Sequence, residues 1–392
     1  MPNLCEVNDC CGCSACFAVC PKGAITMLPN NEGFVHPQVD HAKCVDCHLC
    51  EKVCPVLNQD NQREPLAVYA AQAKDDELRK HSSSGGIFSL LARLVIANGG
   101  IVFGAAVRDD MMIAHTKAEN EEELSSLRGS KYVQSDMGNT YVVVKRHLDS
   151  GRQVMFTGTP CQIAGLRKYL QREYQNLFCV DVVCYAVPSP FAWRKYLSSR
   201  TRVDCADNKR RKLTDVNFRD KRLGWGIYTL SLRYDDGYEY AGSMYDDAYM
   251  RGFLSSLFNR RSCEKCSFRG LRSGSDLTIS DYWRVADHFP DLSDDVGTSL
   301  VLVNNSKGRE FVDEIGDKVK LYKSSFAKAC EVNKPIVRSF GSHVNRSKFF
   351  RSSTKVNFNF DRTVTRLLNV EPSSVKKVLK KIKHVIRRVA KG

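Results

Sequence analysis

The chain has 392 residues, of which 43% are hydrophobic and 26% are charged, and its formal net charge is +15. This length exceeds what one hydrophobic core usually serves, so we expect at least two domains. Because no apolar run of about 18 residues is long enough to span a bilayer and no signal peptide is visible, the expected compartment is the cytoplasm. In that reducing compartment the 17 cysteines are poor candidates for a disulfide scaffold, and metal ligation is the better account.

Two cysteine motifs near the start of the chain share the form C-x2-C-x2-C-x3-C-P and lie 34 residues apart. This is the spacing of ferredoxins that hold two 4Fe-4S clusters, in which the fourth cysteine of each motif ligates the other cluster. Structural zinc, the alternative, gives no reason for the third cysteine or for the proline. The predicted ligand sets are Cys10, Cys13, Cys16 with Cys54, and Cys44, Cys47, Cys50 with Cys20.

The segment between the two motifs has the composition of a short hairpin. Apolar residues at 25–28 and 33–35 flank residues 29–31, whose proline and asparagines favour a turn. Cys5 and Cys11 lie outside the spacing of both motifs. We interpret these two cysteines as non-ligands.

After a polar connector at residues 58–65, short apolar runs alternate with amphipathic segments, which is typical of an α/β domain. The pattern predicts strands at 67–73, 101–107, 153–157, 177–183, 276–280 and 299–304, a strand-rich stretch at 213–243, and helices at 86–97, 139–149 and 162–170. The expected fold class is α+β. Its domains are a two-cluster ferredoxin domain over 1–60, an α/β domain in two parts over 61–150 and 151–335, and a polar linker with a basic amphipathic tail over 336–392.

Several short motifs in the body of the chain occur in a fixed order. They are Ser82-Ser83-Ser84-Gly85-Gly86, residues 129–135, residues 157–162, Cys184 with Val187-Pro188-Ser189-Pro190, and Cys263-x2-Cys266 before Asp281-Tyr282-Trp283. With these motifs the sequence resembles the beta subunit of coenzyme F420-reducing hydrogenase and dehydrogenase, in a variant fused to an N-terminal two-cluster ferredoxin. The resemblance covers roughly residues 1–310, and ferredoxin-dependent chlorophyll reductases are related.

The resemblance implies an FAD-binding α/β domain with one more 4Fe-4S cluster beside the flavin. Read without the family, the run at residues 82–86 precedes a helix, so its backbone amides could hold a pyrophosphate, although a plain helix N-cap is the commoner use of such a turn. Residues 158–160 follow a strand at the sheet edge where ligands bind, and Lys131 is either a neutralising cation or a solvated lysine. The candidate flavin-binding residues are Ser82, Ser84, Gly85, Gly86, Lys131, Ser135, Gly158, Thr159 and Pro160.

Four later cysteines are the candidate ligands of the third cluster: Cys161, Cys184, Cys263 and Cys266. For single cysteines such as Cys161, simple burial in the core is the alternative. The remaining cysteines, Cys179, Cys205 and Cys330, have no partners at ligand spacing and are interpreted as structural.

The sequence departs from the family pattern at two places. Tyr185 and Ala186 replace the His-Gly that commonly follows the cysteine at position 184, and Ser280 and Arg284 stand where glycines are common. These departures favour an altered substrate or donor.

The end of the chain is basic and amphipathic. Residues 373–392 hold six Lys and two Arg with no acid, which accounts for +8 of the net charge. Its apolar residues follow helical spacing, so residues 375–391 predict a basic helix that contacts an anionic membrane surface, and the protein is then peripheral at the inner face of the membrane. A helix docked on the body, or a disordered tail, is the alternative. The rest of the chain is only mildly basic, so we expect no nucleic-acid partner.

Together these features predict an iron-sulfur flavoprotein oxidoreductase. Electrons would pass between a two-electron partner at FAD, such as coenzyme F420, NADH or an organic substrate, and the 4Fe-4S clusters or ferredoxin. A subunit that transfers electrons within a larger redox complex, without a substrate of its own, is the alternative. The family fold does not fix the substrate.

Overall fold

A computed structural model describes residues 2–205 and 211–368 of the chain. Its strands are β1 (Ile25–Pro29), β2 (Val35–Val39), β3 (Ala67–Ala73), β4 (Ile101–Val107), β5 (Ile113–Ala118), β6 (Val154–Gly158), β7 (Leu177–Val182), β8 (Leu213–Asp220), β9 (Thr229–Tyr234), β10 (Glu239–Ser243), β11 (Leu277–Asp281), β12 (Ser299–Val303) and β13 (Val319–Lys323). Its α-helices are α1 (Ala15–Val19), α2 (Leu49–Lys52), α3 (Asp76–Lys80), α4 (Ile87–Ala97), α5 (Glu121–Leu127), α6 (Thr140–Asp149), α7 (Pro160–Leu170), α8 (Pro190–Asp204), α9 (Ala248–Leu254), α10 (Ser306–Glu314), α11 (Phe326–Val332), α12 (Arg346–Ser353) and α13 (Phe360–Leu368).

The largest sheet has eight strands in the order β13-β3-β12-β11-β7-β6-β4-β5. Strands β11, β7, β6 and β4 pair in parallel, and every other pairing in this sheet is antiparallel. The parallel strands are short, strongly apolar runs, as expected where helices cover both faces. Their carboxyl ends therefore lie along one edge of the sheet, where ligands of α/β proteins usually bind.

The predicted α/β alternation is present, and the predicted strands and helices overlap observed elements whose bounds differ by at most two residues. The hairpin prediction was wrong in one detail: its second strand starts at Val35 and runs to Val39. Gly33 has φ +82° and belongs to the turn, so it does not begin the strand. Antiparallel strands β5 and β13 were not predicted, since each is short and mixed in polarity.

The ferredoxin module shares a hydrophobic core with the large sheet. Ala15 of α1 and Val53, which follows α2, belong to one buried cluster with Ile163 and Leu166 of α7. The hairpin is tied down as well, because Arg346 of α12 forms an ion pair with Glu32. The module is therefore packed into the body of the protein along its inner side.

The end of the described chain corrects one expectation. Residues 346–368 were predicted as part of a polar linker, but they form α12 and α13. Phe349 and Phe360 are fully buried there, in an aromatic cluster with Trp193. The predicted basic helix at 375–391 lies outside the described residues. Within residues 2–205 and 211–368, no helix combines the length and apolar character needed to cross a membrane.

Candidate functional site

We call four cysteines of the ferredoxin module the inner set, because two of them, Cys10 and Cys13, contact the body of the protein: Cys10, Cys13, Cys16 and Cys54. Burial raises the pKa of Cys16 to about 12, and the nearby thiols of Cys10 and Cys54 add to the rise. Cys13 is in hydrogen-bond contact with Cys11, and burial with nearby Cys16 and Cys10 raises its pKa. The four thiols that sequence spacing assigned to one cluster thus converge.

The other four cysteines, the outer set, line one small cavity at the far side of the module: Cys20, Cys44, Cys47 and Cys50. Cys50 is buried, but Cys47 is exposed to solvent. Cys20 of the first motif thus lies with three cysteines of the second, which is the grouping that the crossed pairing requires. The donor chemistry of both sets fits a 4Fe-4S cluster bound by four thiolates.

The two cysteines interpreted as non-ligands lie beside the inner set. Cys5 makes hydrogen-bond contact with Cys10 and Cys54, and these contacts raise its pKa. Cys11 is in contact with Cys13 on one side and with Cys161 on the other. Cys11 therefore links the inner set to the first cysteine of the third candidate set.

The four later cysteines also come together. Burial raises the pKa of Cys184 well above its usual range, and the neighbouring thiols of Cys263, Cys161 and Cys266 contribute. Arg269 holds the loop after Cys184, because its guanidinium donates to the carbonyl oxygens of Cys184 and, at 2.9 Å, of Tyr185. Within the described residues, no three or more His, Cys, Asp or Glu lie close enough to share one metal ion; a cuboidal cluster is instead bound by four thiolates arranged around it.

A cavity of about 670 Å³ opens at the carboxyl edge of the parallel strands. Its wall includes Cys11 and Gly12 of the ferredoxin module as well as Cys161 and Cys184. Most of the candidate flavin-binding residues line it too: Ser82, Ser84, Gly86, Lys131, Ser135, Gly158 and Thr159. This volume is within the range of cofactor sites.

Gly85 and Pro160, also predicted to bind the cofactor, do not line the cavity. Gly85 packs against the sheet instead, where a Cβ would clash with the Ala71 carbonyl oxygen. Pro160 is the first residue of α7, a position that needs no amide donor. Both residues therefore shape the backbone of the wall behind the cavity surface.

Residues 82–86 form a loop before α4, which we call the serine loop, and its own side chains fix its conformation. Ser82 donates to the Leu78 carbonyl oxygen at 2.7 Å, and Ser84 donates to that of Thr298 at 2.8 Å. Gly86 has φ +89° and is the N-cap of α4, whose first residues line the cavity. Because the first amides of a helix have no partner within it, these backbone groups are available to an anionic ligand.

Lys131 lies in the cavity wall, and no carboxylate of the described residues is within bonding distance of it. Its ammonium donates to the carbonyl oxygens of Ser126 at 2.8 Å and Arg128 at 2.7 Å. Burial lowers its pKa to about 7. The amine is therefore sheltered by the chain, and it is close to losing its charge near neutral pH.

Three further residues were missed in the sequence. His115 on β5 and Arg219 on β8 line the cavity, and Arg219 pairs with Asp281 at 3.1 Å. Buried Arg260 donates to the carbonyl oxygens of Cys10 at 2.7 Å and Val35 at 2.8 Å, and so clamps the inner set. All three depend on contacts between distant segments, so no local motif could have indicated them.

Comparison with known sequences assigns the chain to a family. Two sequence models for the coenzyme F420 hydrogenase/dehydrogenase beta subunit match it, the N-terminal one over residues 68–140 and the C-terminal one over residues 151–328. The chain belongs to this family of beta subunits. A 4Fe-4S dicluster domain precedes these regions over residues 9–58. The resemblance predicted from the ordered motifs is confirmed, and this beta-subunit-like chain is an iron-sulfur protein of an electron-transfer family.

Two curated relatives are similar to parts of this chain. One is a subunit of the F(420)H(2) dehydrogenase of Methanosarcina mazei, which is 27% identical over 195 residues that cover 45% of this chain and 53% of that protein. The coenzyme F420-dependent sulfite reductase of Methanocaldococcus jannaschii is 27% identical over 174 residues, 42% of this chain and 26% of the relative. The chain thus spans about half the length of the first relative and a quarter of the second.

A solved structure also matches over most of its length. It is a chain of the F420-reducing NiFe hydrogenase complex from Methanosarcina barkeri, with 15% sequence identity and a TM-score of 0.47. The match covers 76% of this chain and 95% of that one.

Proposed function

We propose that the chain is an iron-sulfur flavoprotein oxidoreductase that passes electrons between a two-electron partner at FAD and 4Fe-4S clusters. One observation carries the proposal: the same cavity wall contains the serine loop, cysteines of the third set and Cys11 with Gly12 of the ferredoxin module. A ligand bound there lies against Cys161 and Cys184 of the third set and against Cys11, which contacts Cys13 of the inner set. The cofactors would supply the redox chemistry, and the protein would position them.

The lining of the cavity has groups that suit FAD. The first turn of α4 offers backbone amides to the pyrophosphate, and Lys131 adds a sheltered amine to the same wall. The amides of Ser82 and Gly85 already donate to Arg79 and Ser299. The same wall contains Cys161, Cys184 and the buried His115. Tyr132, Tyr228 and Trp283 add aromatic surface to the same wall, which suits a planar ligand.

In this proposal the three cysteine sets carry single electrons to and from the cavity. The outer set reaches solvent at Cys47, and the inner set lies against the body. Cys11 joins the inner set to Cys161 of the third set, which lines the cavity together with Cys184. In this proposal single electrons enter or leave at the outer set, and a redox protein such as ferredoxin is the partner there.

The two-electron partner is proposed from the relatives' names. Both curated relatives are named for coenzyme F420, so this coenzyme is the first candidate, with NADH and organic substrates as the others. A second function deserves a test of its own, because one relative is named as one subunit of a dehydrogenase. In that case the chain transfers electrons within a complex and turns over no substrate alone.

Anaerobic purification with quantification of iron, sulfide and flavin tests the cofactor content. We expect about twelve irons, since three clusters carry four each, and one FAD per chain. Cys184→Ser serves as the matched variant and should retain about eight irons, with the ferredoxin module intact. About eight irons and no flavin in the unaltered protein would contradict the proposed content of the cavity.

Reduction of the flavin by each donor then separates the two functions. Addition of reduced coenzyme F420, NADH or reduced ferredoxin to the isolated chain should bleach the flavin and cluster absorbance with at least one of them. Reduction by ferredoxin alone, with no two-electron donor or acceptor turned over, would favour the electron-transfer subunit.

A further inference from the structure

A buried histidine joins the cavity wall to the end of strand β6. His115 on β5 places Nδ1 2.7 Å from the hydroxyl oxygen of Ser135 and Nε2 3.0 Å from the carbonyl oxygen of Thr157. Its ring stacks on Phe156, with centroids 5.5 Å apart and an interplanar angle of 19°. The imidazole therefore has its position fixed on both edges and on one face.

These two contacts determine which atoms carry the protons. A backbone carbonyl oxygen only accepts hydrogen bonds, so Nε2 must be the protonated nitrogen that donates to Thr157. In the neutral ring Nδ1 is then an acceptor, and the Ser135 hydroxyl donates its only proton to it. Burial keeps the ring neutral, because it lowers the pKa of His115 to about 4, and Lys131 nearby adds to that effect.

The Ser135 hydroxyl can consequently act only as a hydrogen-bond acceptor toward a ligand. Its hydroxyl proton is directed at His115, yet the residue lines the cavity. A serine hydroxyl normally serves as either donor or acceptor, and here only the acceptor role remains. A ligand atom that meets Ser135 must therefore donate a hydrogen bond, while a carbonyl oxygen in that place would be repelled.

We propose that Ser135 accepts a hydrogen bond from a ring N–H of the bound flavin and that His115 is the positioning residue that keeps the Ser135 hydroxyl turned away from the ligand. This inference rests on the proposed function, because it takes the ligand of the cavity to be a flavin. Oxidised flavin carries a ring N–H at N3, and reduced flavin carries a further one at N5. The pair thus selects the orientation of the ring system within the cavity.

Three variants test the hydrogen bond between Ser135 and His115 and its effect on flavin binding. Ser135→Ala removes the acceptor, and His115→Leu removes the group that turns the hydroxyl away. His115→Gln is the rescue variant, because its side-chain carbonyl accepts from Ser135 while its amide donates to Thr157. Each is prepared as the complete chain with its clusters and stripped of flavin, and Kd is measured by fluorescence titration with oxidised FAD and by anaerobic titration with reduced FAD.

We expect Ser135→Ala and His115→Leu to bind FAD about tenfold more weakly in at least one redox state, which corresponds to one lost hydrogen bond of about 1.4 kcal/mol. His115→Gln should stay within about twofold of the unaltered protein. A merely structural role for His115 does not predict this rescue. If His115→Leu loses its iron, the comparison of Ser135→Ala with His115→Gln decides alone.

Two results would overturn the inference. Unchanged affinity for both redox states in Ser135→Ala would exclude Ser135 as an acceptor for the ligand, and equal losses in His115→Gln and His115→Leu would exclude the orienting role. Failure of the unaltered protein to bind FAD at all is a different outcome, because it removes the proposed function and this inference with it.

Discussion

Cys13 and Cys47 occupy the same place in their respective motifs, yet Cys13 is buried against α7 while Cys47 is exposed to solvent. Their neighbours follow the same division. In the inner set Cys10, Cys13 and Cys54 are buried, whereas the outer set has one buried member, Cys50. A duplicated motif therefore supplies one site that faces the rest of the protein and one that faces its surroundings.

The difference arises from what packs against each half of the module. Around the inner set lie the clamp of Arg260 and the side of α7, both contributed by the body of the chain. Around the outer set, the cavity is lined by residues of the ferredoxin module itself. Identical ligand spacing thus specifies the cluster type, while its environment and its partner are set by the surrounding fold.

Arg260→Met should have the largest effect on the difference between the two sets, because it destabilises the inner set. The buried guanidinium satisfies the carbonyl oxygens of Cys10 and Val35 and the side-chain oxygen of Gln134. Its loss leaves three acceptors without a donor, so we expect the free energy of unfolding to fall by about 3 kcal/mol. Iron content should fall by about four atoms, counted as one cluster. Arg338→Met, at an exposed arginine, is the control. Equal iron loss in both variants would contradict a stabilising role of Arg260 at the inner set.

Gly165→Ala tests the contact between α7 and the inner set from the other side. A Cβ at this position would come within 2.8 Å of the Tyr141 hydroxyl and 3.0 Å of the Cys13 sulfur. Overpacking of this kind costs about 2 kcal/mol, and we expect a lower Tm with a disturbed cluster spectrum. Gly316→Ala, which meets no atom within 4 Å, should change neither. An unaltered cluster spectrum in Gly165→Ala would mean that Cys13 has room to move.

A chelator should remove iron from the two sets at different rates. Because Cys47 is exposed and the inner set is sheltered, the outer cluster is expected to lose iron several-fold faster in the presence of EDTA and trace oxygen. Iron release followed by absorbance should be biphasic, with about four irons in the fast phase. Release of all iron in a single phase would show that the sheltering has no effect on access.

Lys131 gives the smallest expected effect, and it depends on pH. The folded protein holds its pKa near 7, against 10.5 for the ordinary side chain. Between these values the unfolded chain binds more protons, so folding stability is lost as pH falls towards 7. Relative to Lys131→Met, the unaltered protein should lose about 1 kcal/mol between pH 10 and pH 7, after allowance for partial solvent screening. A difference in Tm that does not vary with pH would contradict the sheltered lysine.

Sequence alone predicted the features that depend on local order. Ligand spacing indicated both cysteine sets, and alternating apolar runs predicted β3 and β4 at their observed bounds. The order of short motifs indicated the family. These signals are readable because each one is contained in a few consecutive residues.

Contacts between distant segments were not predictable in this way. His115 lies on a strand of mixed polarity, and its role depends on hydrogen bonds with Ser135 and Thr157, which lie in other segments of the chain. Arg260 acts on a carbonyl oxygen 250 residues earlier in the chain. Phe349 and Phe360 were placed in a linker, because two aromatic residues among charges do not indicate a buried face.

The common core of α7 and the ferredoxin module has a consequence for how the protein is made. Ala15 and Val53 cover part of the apolar side of α7, including Ile163 and Leu166, so neither part buries its surface without the other. Iron delivery to the inner set and completion of the sheet are then stages of one maturation event. A cell that lacks iron would accumulate chains with an uncovered apolar side, which is the kind of surface that quality-control proteases and chaperones recognise.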